Sequence, residues 1–399
     1  MTQKIIPYSR QSIDEDDIQA VVEVLRSDWL TTGPMVEKFE QAVAEFVGAK
    51  HAVAVSSGTA ALHCAMYAAG IGPGDEVILP PMTFVATANA VVYQGGTPVF
   101  ADVDADTLLV NAAEVEAKIT PKTKAIVAVD YAGQPCDYDA LRAIADRHHL
   151  KLIADSCHSL GAEYKGRKVG TLADLTVFSF HPVKPITTGE GGMVVTDNSD
   201  YAEKMRRFRN HGIATDHHQR AKEGIWYYEM TDLGYNYRLT DFQCALGLRQ
   251  LQKLPGWISR RREIAEKYDR AFAKIKALRS LTTFQDRKHA FHLYVIVLNL
   301  DMLGTDRTAI FRSLRKDGIG VNIHYIPVHL QPFYQHHFGT DRGLCPAVES
   351  LHRQILSLPI YPALSESDLQ TVVMTVNRVT LKNGVTNGNR GIEEHIEGE

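Results

Sequence analysis

A single lysine, Lys184, lies in a loop bounded by proline and glycine within the segment 174–192, and its amine is a potential nucleophile. The apolar run 175–180 comes before this loop and the run 192–196 comes after it, so both flanks are predicted strands. An amine attacks a carbonyl carbon only when it is unprotonated, so this chemistry requires a dry pocket that lowers the lysine pKa. A loop lysine is ordinarily a solvated surface charge. Residues elsewhere in the chain are therefore needed to distinguish a nucleophilic Lys184 from an exposed one.

Three more segments carry side chains that could bind a ligand beside Lys184, and each lies at the predicted end of an apolar strand. The segment 56–61, Ser-Ser-Gly-Thr-Ala-Ala, opens a helix, and free N–H groups at a helix start favour phosphate. Serine and glycine are also common in such turns for conformational reasons alone. Phe84 either stacks on a flat ring or covers a strand end as a core residue. Asp155 either caps the next helix or pairs with a protonated pyridine nitrogen, because a carboxylate there is costly without a partner.

Together these are the groups that hold pyridoxal 5′-phosphate, which acts as an electron sink when its pyridine nitrogen is paired with an acid. Ser179 ends the strand before Lys184, and its hydroxyl is predicted to reach the phosphate. His158 lies either beside the cofactor ring or in the interior as an ordinary half-buried histidine. The helix start at Gly58 is not a Walker loop, because no Lys-Ser/Thr follows the glycine, and it lacks the three spaced glycines of a dinucleotide site.

Strand and helix patterns alternate through the first half of the chain. Strands are predicted at 51–55, 76–79, 97–101, 124–129 and 150–154, and helices at about 59–69, 83–93, 111–118 and 137–148. Alternation of this kind predicts an α/β fold with a mainly parallel sheet between two layers of helices. Ligands of such sheets bind at the carboxyl ends of the strands, where the segments described above lie.

The ends and the second half of the chain follow a different pattern. Ser12 and Glu15 fit a capping box for a first helix. Residues 211–237 form a long irregular segment rich in aromatics, which is typical of a functional or interface loop. Thr240-Asp241 is the predicted start of a long helix that Leu254-Pro-Gly256 interrupts. The other predicted elements are a strand at 291–298, helices at 306–316 and 365–381, and a disordered tail at 383–399.

Composition excludes several classes of protein. The chain has 399 residues, is 45% hydrophobic and 23% charged, and carries a formal net charge of −4, which gives no reason to expect nucleic acid or anionic lipid as a partner. The five cysteines form no CxxC pair, so reduced thiols in the cytoplasm are predicted, with no metal site. The most apolar stretch, 77–93, is broken by Pro80-Pro81, and the N-terminus lacks the apolar core of a signal peptide. These features predict a soluble protein that does not enter a membrane.

The sequence resembles the DegT/DnrJ/EryC1/StrS sugar aminotransferases, which belong to fold type I of the pyridoxal-phosphate enzymes. The resemblance extends over nearly the whole chain and is most specific at Phe178-Ser-Phe-His-Pro-Val-Lys-Pro-Ile-Thr-Thr-Gly-Glu-Gly-Gly192. Asp155–Ala162 and Leu233–Asp241 support it. It implies a large domain with a mainly parallel seven-stranded sheet, at 13–250, and a smaller C-terminal α/β domain, at 251–382. Residues 1–12 are predicted to associate with the smaller domain.

The resemblance also implies roles for individual residues. Lys184 is the lysine that forms a Schiff base with pyridoxal phosphate, and Asp155 is the partner of the pyridine nitrogen. The other cofactor contacts that it implies are Ser57, Gly58, Thr59 and Ser179 at the phosphate, Phe84 stacked on the ring, and His158 beside the ring where many relatives have glutamine. Asn236 is expected to reach the phosphate in the other subunit of a homodimer, so that active sites are shared. The candidates for substrate contacts are Arg238 for the donor carboxylate and His324, Tyr325, His329 and Tyr334 for the nucleotide sugar.

The reaction that the resemblance implies is a ping-pong transamination. The His-Pro-Val-Lys-Pro form of the motif most resembles family members of the pseudaminic acid pathway, which transfer the amino group of L-glutamate to C4 of UDP-4-keto-6-deoxy-N-acetyl-L-altrosamine. Relatives that make perosamine or the 4-amino sugars of lipid A share most of these residues and remain alternatives. A dehydratase is disfavoured because Lys184 stands where the dehydratases of the family have histidine. A regulatory relative would carry a DNA-binding module or a basic patch, and the sequence shows neither.

Overall fold

The computed structural model describes residues 5–215, 220 and 224–384. The last helix extends to Gly384, so the first two residues of the predicted disordered tail are helical, and the rest of that tail lies outside the described residues. Within the predicted irregular segment 211–237, positions 216–219 and 221–223 also lie outside them.

A seven-stranded sheet forms the centre of the molecule. It contains seven of the strands that the structure describes. In chain order, and including those of the smaller sheets, these strands are β1 (His51–Val55), β2 (Glu76–Leu79), β3 (Thr97–Phe100), β4 (Thr123–Val129), β5 (Lys151–Asp155), β6 (Glu163–Tyr164), β7 (Arg167–Lys168), β8 (Leu175–Ser179), β9 (Gly192–Thr196), β10 (Leu278–Ser280), β11 (Arg287–Lys288), β12 (Tyr294–Leu298) and β13 (Ile355–Leu358). The order in the large sheet is β1-β9-β8-β5-β4-β2-β3, and β9 runs antiparallel to both of its neighbours. The other pairs are parallel. The predicted mainly parallel α/β fold is therefore confirmed.

The strands of this sheet are buried on both faces, which explains why they appear in the sequence as continuous apolar runs. All five residues of β8 and of β9 are buried, as expected for strands between two layers of helices. The helices in chain order are α1 (Glu15–Leu25), α2 (Pro34–Val47), α3 (Gly58–Ala68), α4 (Val85–Tyr93), α5 (Ala112–Ala117), α6 (Tyr138–Arg147), α7 (Ser199–Phe208), α8 (Asp241–Phe272), α9 (Leu300–Leu303), α10 (Arg307–Lys316), α11 (Pro332–Phe338), α12 (Pro346–Leu351) and α13 (Glu366–Gly384).

The prediction that Leu254-Pro-Gly256 interrupts the long helix is wrong, because α8 runs unbroken for 32 residues. Pro255 and Gly256 are exposed on the outer face of α8, whereas the neighbouring Leu254 and Ile258 are buried. A proline inside a helix removes one backbone hydrogen bond. Packing of the apolar face on both sides of Pro255 outweighs that loss, because tertiary contacts provide most of the stability of a helix.

Two other predicted boundaries are also corrected. The cap of α1 is Asp14, not Ser12: the Asp17 N–H donates to the Asp14 carboxylate at 3.2 Å, and the Asp14 N–H donates to Asp17 at 3.1 Å. Asp17 is fully buried, and its contact with Gln250 of α8 fixes where α1 begins. Strand β12 begins at Tyr294 rather than at residue 291, because Phe291 has a positive φ of 48° that a strand cannot contain.

A second, smaller core lies on the three-stranded antiparallel sheet β10-β12-β13. Ile264 and Phe272 near the end of α8 belong to this core, whereas Leu254 and Ile258 pack into the core of the large sheet. Ile6 also packs into the smaller core, and it exchanges backbone hydrogen bonds with Gly318 and Gly320. The predicted domain boundary at 250 therefore falls inside one continuous helix that serves both cores, and the division into domains stays a prediction.

Candidate active site

A cavity of about 640 Å³ opens at the carboxyl ends of the central strands. Residues that follow β1, β2, β5 and β8 line one side of it, and the segment Asn322–Tyr325 with Tyr8 lines the other. This is the edge at which parallel α/β sheets bind their ligands. Lys184, Asp155, Phe84, His158 and the start of α3 all line this single cavity, although Gly58 and Lys184 are 126 residues apart in the chain.

The start of α3 has the geometry of an anion site. Ser57 is the N-cap, and its Oγ accepts a hydrogen bond of 3.1 Å from the N–H of Ala60. The remaining N–H groups of the first turn have no partner within the helix, and together with the helix dipole they favour phosphate. Gly58 approaches the buried Ser179 so closely that a β-carbon on Gly58 would stand 2.8 Å from Ser179 Cβ. Thr59 also lines the cavity.

The substitution Gly58→Ala is expected to lower the affinity for the cofactor about tenfold or more. The added methyl group has to displace Ser179 and with it the start of α3, and overpacking of this kind typically costs about 1–3 kcal/mol. Gly72→Ala is the matched control, because a β-carbon on Gly72 meets no atom within 4 Å. Titration of both apoproteins with pyridoxal phosphate, followed by absorbance, measures the difference. Equal dissociation constants for the two variants would contradict a phosphate site at this turn.

Asp155 ends β5 and is only 6% exposed. Its carboxylate accepts a hydrogen bond of 2.6 Å from the Thr87 hydroxyl and one of 3.3 Å from the Cys157 N–H. No helix begins directly after Asp155, so it does not act as a helix cap. Thr87 was not predicted from the sequence, where its only signal is a hydroxyl within the apolar helix 85–93.

Lys184 is half-buried in the loop after β8, and its backbone N–H donates to the carbonyl of His181 at 2.9 Å. Burial lowers the pKa of the Lys184 amine below its ordinary value, while the nearby Cys157 and Asp155 act in the opposite direction. The amine is therefore unprotonated at a lower pH than an exposed lysine. This is the property that a nucleophilic lysine requires.

A group of buried histidines faces Lys184 across the cavity. His158 Nε2 lies 3.1 Å from the Tyr325 hydroxyl, and its ring centroid lies 4.3 Å from that of His292. Burial and the charge of Lys184 hold the pKa of His158 well below its ordinary value, and the same two causes lower the pKa of His324 to about 4. These imidazoles are neutral at physiological pH. His292 was not predicted, because a histidine inside an expected strand gives no sign that it faces a cavity.

Phe84 lies at the mouth of the cavity rather than in the core. It is 56% exposed, immediately precedes α4, and its ring centroid lies 6.0 Å from that of Tyr325. The alternative that Phe84 covers a strand end as a core residue is therefore wrong. An exposed ring at this position is available to stack on a flat ligand.

Four of the predicted site residues do not line this cavity. His329 is fully buried with Nε2 3.0 Å from a Glu349 carboxylate oxygen, and the buried Tyr334 donates to Asn89 at 2.6 Å. Arg238 donates to Asn210 at 2.7 Å, and Asn236 is exposed on the neighbouring segment. His329 and Tyr334 therefore have protein partners instead of facing the site, and the contact of Asn236 with another subunit stays a prediction.

The residues present fit pyridoxal phosphate. The cavity brings together a helix start for a phosphate, a buried carboxylate for a pyridine nitrogen and a half-buried amine for an aldehyde. His158 Nδ1 is buried and has no hydrogen-bond partner among the residues that the structure describes. In the same part of the chain, no group of three or more His, Cys, Asp or Glu side chains is placed to hold a metal ion.

Comparison with known proteins gives consistent matches over almost the full length. Residues 11–377 match the DegT/DnrJ/EryC1/StrS aminotransferase family. The spore coat polysaccharide biosynthesis protein SpsC of Bacillus subtilis is 44% identical over 376 residues, which are 94% of this chain and 97% of SpsC.

Solved structures show the same similarity. PseC of Helicobacter pylori, an aminotransferase involved in the biosynthesis of pseudoaminic acid, superposes with a TM-score of 0.89 at 37% identity, over 95% of this chain and all of that one. Spr1654 of Streptococcus pneumoniae in its PLP form gives a TM-score of 0.88 at 32% identity, over 95% of this chain and 99% of that one. Its PMP form gives 0.89 at the same identity, over 95% of this chain and all of that one. These forms indicate pyridoxal phosphate as the cofactor.

Proposed function

Because this chain belongs to the DegT/DnrJ/EryC1/StrS aminotransferase family, we propose that it transfers the amino group of L-glutamate to C4 of a UDP-linked 4-keto-6-deoxy-N-acetyl hexose. The observation that carries the proposal is the meeting of Lys184 and Asp155 in one cavity with the start of α3. Among the described residues, no helix is long and apolar enough to cross a bilayer. We propose that the reaction takes place in the cytoplasm, where the five unpaired cysteines would stay reduced.

Each residue of the site has a separate task in this proposal. Pyridoxal phosphate, when bound, supplies the electron sink that stabilises the carbanion formed at the reacting carbon. The first turn of α3 and Ser179 would hold the phosphate of the bound cofactor, Phe84 would cover its ring, and Asp155 would hold a proton at the ring nitrogen. The amine of Lys184 takes the proton from the α-carbon of glutamate and, in the second half of the cycle, moves a proton at C4 of the sugar.

The choice of sugar rests on two observations. The motif His181–Pro185 resembles that of pseudaminic acid enzymes, and the similarity to PseC covers 95% of the chain. An aminotransferase for a different nucleotide 4-keto sugar is the second candidate, since SpsC is more similar in sequence, at 44% identity.

Offering the acceptors one at a time distinguishes these two candidates. L-Glutamate first converts the bound cofactor to its amine form, and the excess glutamate is removed. A UDP-linked or dTDP-linked 4-keto sugar is then added. We expect the original absorbance to return only with the UDP-linked N-acetyl sugar, together with an amino sugar detected by mass spectrometry. Return of the absorbance with a dTDP sugar alone would overturn the choice of acceptor and leave the aminotransferase assignment intact.

We further propose that the active form is a homodimer with shared sites. Trp226, Met230 and Leu233 are 86%, 65% and 73% exposed, and apolar residues so close in the chain usually mark a contact surface. Asn236 follows them, exposed and outside the cavity of its own chain. A second copy of the chain that covers this segment would bring Asn236 to the neighbouring cofactor.

Mixing two inactive variants tests this arrangement. After subunit exchange between Lys184→Ala and Asn236→Ala, half of the dimers are mixed, and one site of each mixed dimer carries neither substitution, so about one quarter of the sites regain activity. Lys184→Ala mixed with Asp155→Asn is the matched control, because both residues line one cavity of a single chain and no intact site can form. Failure of the first mixture to recover more activity than the control would contradict shared sites.

A further inference from the structure

Asp130, which lies directly after β4, has a buried carboxylate that the proposed reaction does not use. Its side chain is completely inaccessible to solvent. Oδ1 accepts hydrogen bonds of 2.9 Å from the Cys136 N–H and from the Tyr138 hydroxyl. Oδ2 accepts bonds of 2.8 Å from the Ser156 hydroxyl and 2.6 Å from the Ser159 hydroxyl. One carboxylate therefore joins the loop after β4 to the turn after β5.

Two of the proposed cofactor contacts lie here: Asp155 ends β5, and His158 lies in the turn that follows it. Ser156 follows Asp155 directly, and Ser159 follows His158 directly, so the two serines flank the turn at both ends. The Asp130 N–H also donates to the carbonyl of Asp155 at 3.1 Å. Asp130 thus holds the strand end through its backbone and the turn through its side chain.

We propose that Asp130 is a positioning residue for the cofactor: by binding Ser156 and Ser159 it sets the directions in which the Asp155 carboxylate and the His158 imidazole face the cavity. This inference rests on the proposed function. It assigns to Asp130 no contact with the cofactor or the substrate. Its effect passes through Asp155, whose charge must lie against the ring nitrogen, and through His158, whose ring must lie beside the cofactor.

The carboxylate is suited to this task because all four groups that it binds, three hydroxyls and one backbone N–H, donate to it. An ionised carboxylate only accepts hydrogen bonds, whereas an amide of the same shape has one accepting oxygen and an NH₂ group that only donates. In Asp130→Asn, the amide oxygen has to face the Cys136 N–H, which can only donate, so the NH₂ group faces the two serines. Both hydroxyls then lose the charged acceptor and can only accept weaker, neutral hydrogen bonds from the amide, so the turn is held less firmly.

Asp102 provides a matched control for the loss of a buried carboxylate. It is 6% exposed and lies after β3, and its oxygens accept from the N–H groups of Val103, Ala347 and Val348 at 2.8, 2.7 and 3.1 Å. It does not line the cavity. Asp102→Asn therefore has a similar effect on packing without touching the turn after β5.

The experiment measures cofactor binding in the full-length protein, below the melting temperature of each variant. We expect Asp130→Asn to raise the dissociation constant of pyridoxal phosphate at least about tenfold, and to shift the pH at which the absorbance of the bound cofactor changes. Asp102→Asn should leave both quantities at their wild-type values, even where it lowers the melting temperature as much. Equal effects of the two variants, or a wild-type dissociation constant for Asp130→Asn, would overturn the inference.

A second variant keeps the test decisive if Asp130→Asn does not fold. The double substitution Ser156→Ala, Ser159→Ala removes the two donors and leaves the carboxylate with its partners on the loop after β4. We expect it to weaken cofactor binding in the same direction, and a dissociation constant equal to that of the wild type would also overturn the inference. Absence of cofactor binding by the wild-type protein would refute the proposed function instead, so the two failures are distinguishable.

Discussion

Lys184→Ala is expected to lower the rate of transamination by about 10³-fold or more, because proton transfer by a positioned side chain contributes about 10²–10⁴-fold and the nucleophile is lost with it. The fold should persist, since Lys184 lies in a loop and is only half-buried. Pyridoxal phosphate should still bind at the start of α3, but without a covalent link to the protein. Borohydride reduction followed by mass spectrometry of the intact chain then detects attached cofactor in the wild type and none in the variant.

Two comparisons separate this effect from a general loss of structure. Lys168→Ala removes a lysine that is exposed on β7, and it should keep the wild-type rate. A small primary amine added to Lys184→Ala should restore part of the activity, because the shortened side chain leaves room for an external base. Multiple turnover by Lys184→Ala without added amine would contradict the role given to this lysine.

Asp155→Asn is expected to lower the rate by about 10³-fold, which corresponds to roughly 4 kcal/mol, the cost typical of removing one partner of a buried charge pair. The amide is neutral and cannot stabilise a proton on the pyridine nitrogen, so the electron sink is weakened. The Thr87 hydroxyl can still donate to the amide oxygen, so local structure is retained. The rate of the half-reaction with L-glutamate, measured by stopped-flow absorbance, gives the effect directly.

The control for this prediction is Asp174→Asn. Asp174 accepts a hydrogen bond of 2.8 Å from the Leu152 N–H of the same strand, β5, but it lies outside the cavity. Its substitution should lower stability modestly and leave the half-reaction rate within about twofold of the wild type, as is usual for substitutions that leave the site intact. An equal loss of rate in both variants would mean that Asp155 acts through stability rather than through the cofactor.

The sequence alone predicts the positions of the central strands closely, because they are buried on both faces and appear as apolar runs. It also brings Lys184 and Asp155 together, since both follow strands whose carboxyl ends share an edge of the sheet. It fails at Pro255, where a local breaker is overridden by packing on both sides, and at Asp14, where a contact with α8 selects the cap. These outcomes depend on distant residues, so a local pattern does not contain them.

The residues that support the site were harder to predict than those that were expected to do the chemistry. The hydrogen-bond partner of Thr87 is 68 residues away in the chain, and the two serine partners of Asp130 are 26 and 29 residues away. The residue types of Thr87 and Asp130 alone do not identify them as supports of the site. His329 and Tyr334 show the opposite error. They belong to a region that resembles the nucleotide-sugar site of relatives, but hydrogen bonds to Glu349 and Asn89 keep their polar groups in the interior.

If this cavity performs a transamination in two separate halves, a single half-reaction tests it most directly. The purified protein with bound pyridoxal phosphate is mixed with L-glutamate in the absence of any sugar, and released 2-oxoglutarate is counted against cofactor. We predict about one equivalent of 2-oxoglutarate per chain, together with loss of the original absorbance band, and none from Lys184→Ala. No release from the wild type, or release only after a keto sugar is added, would contradict the account.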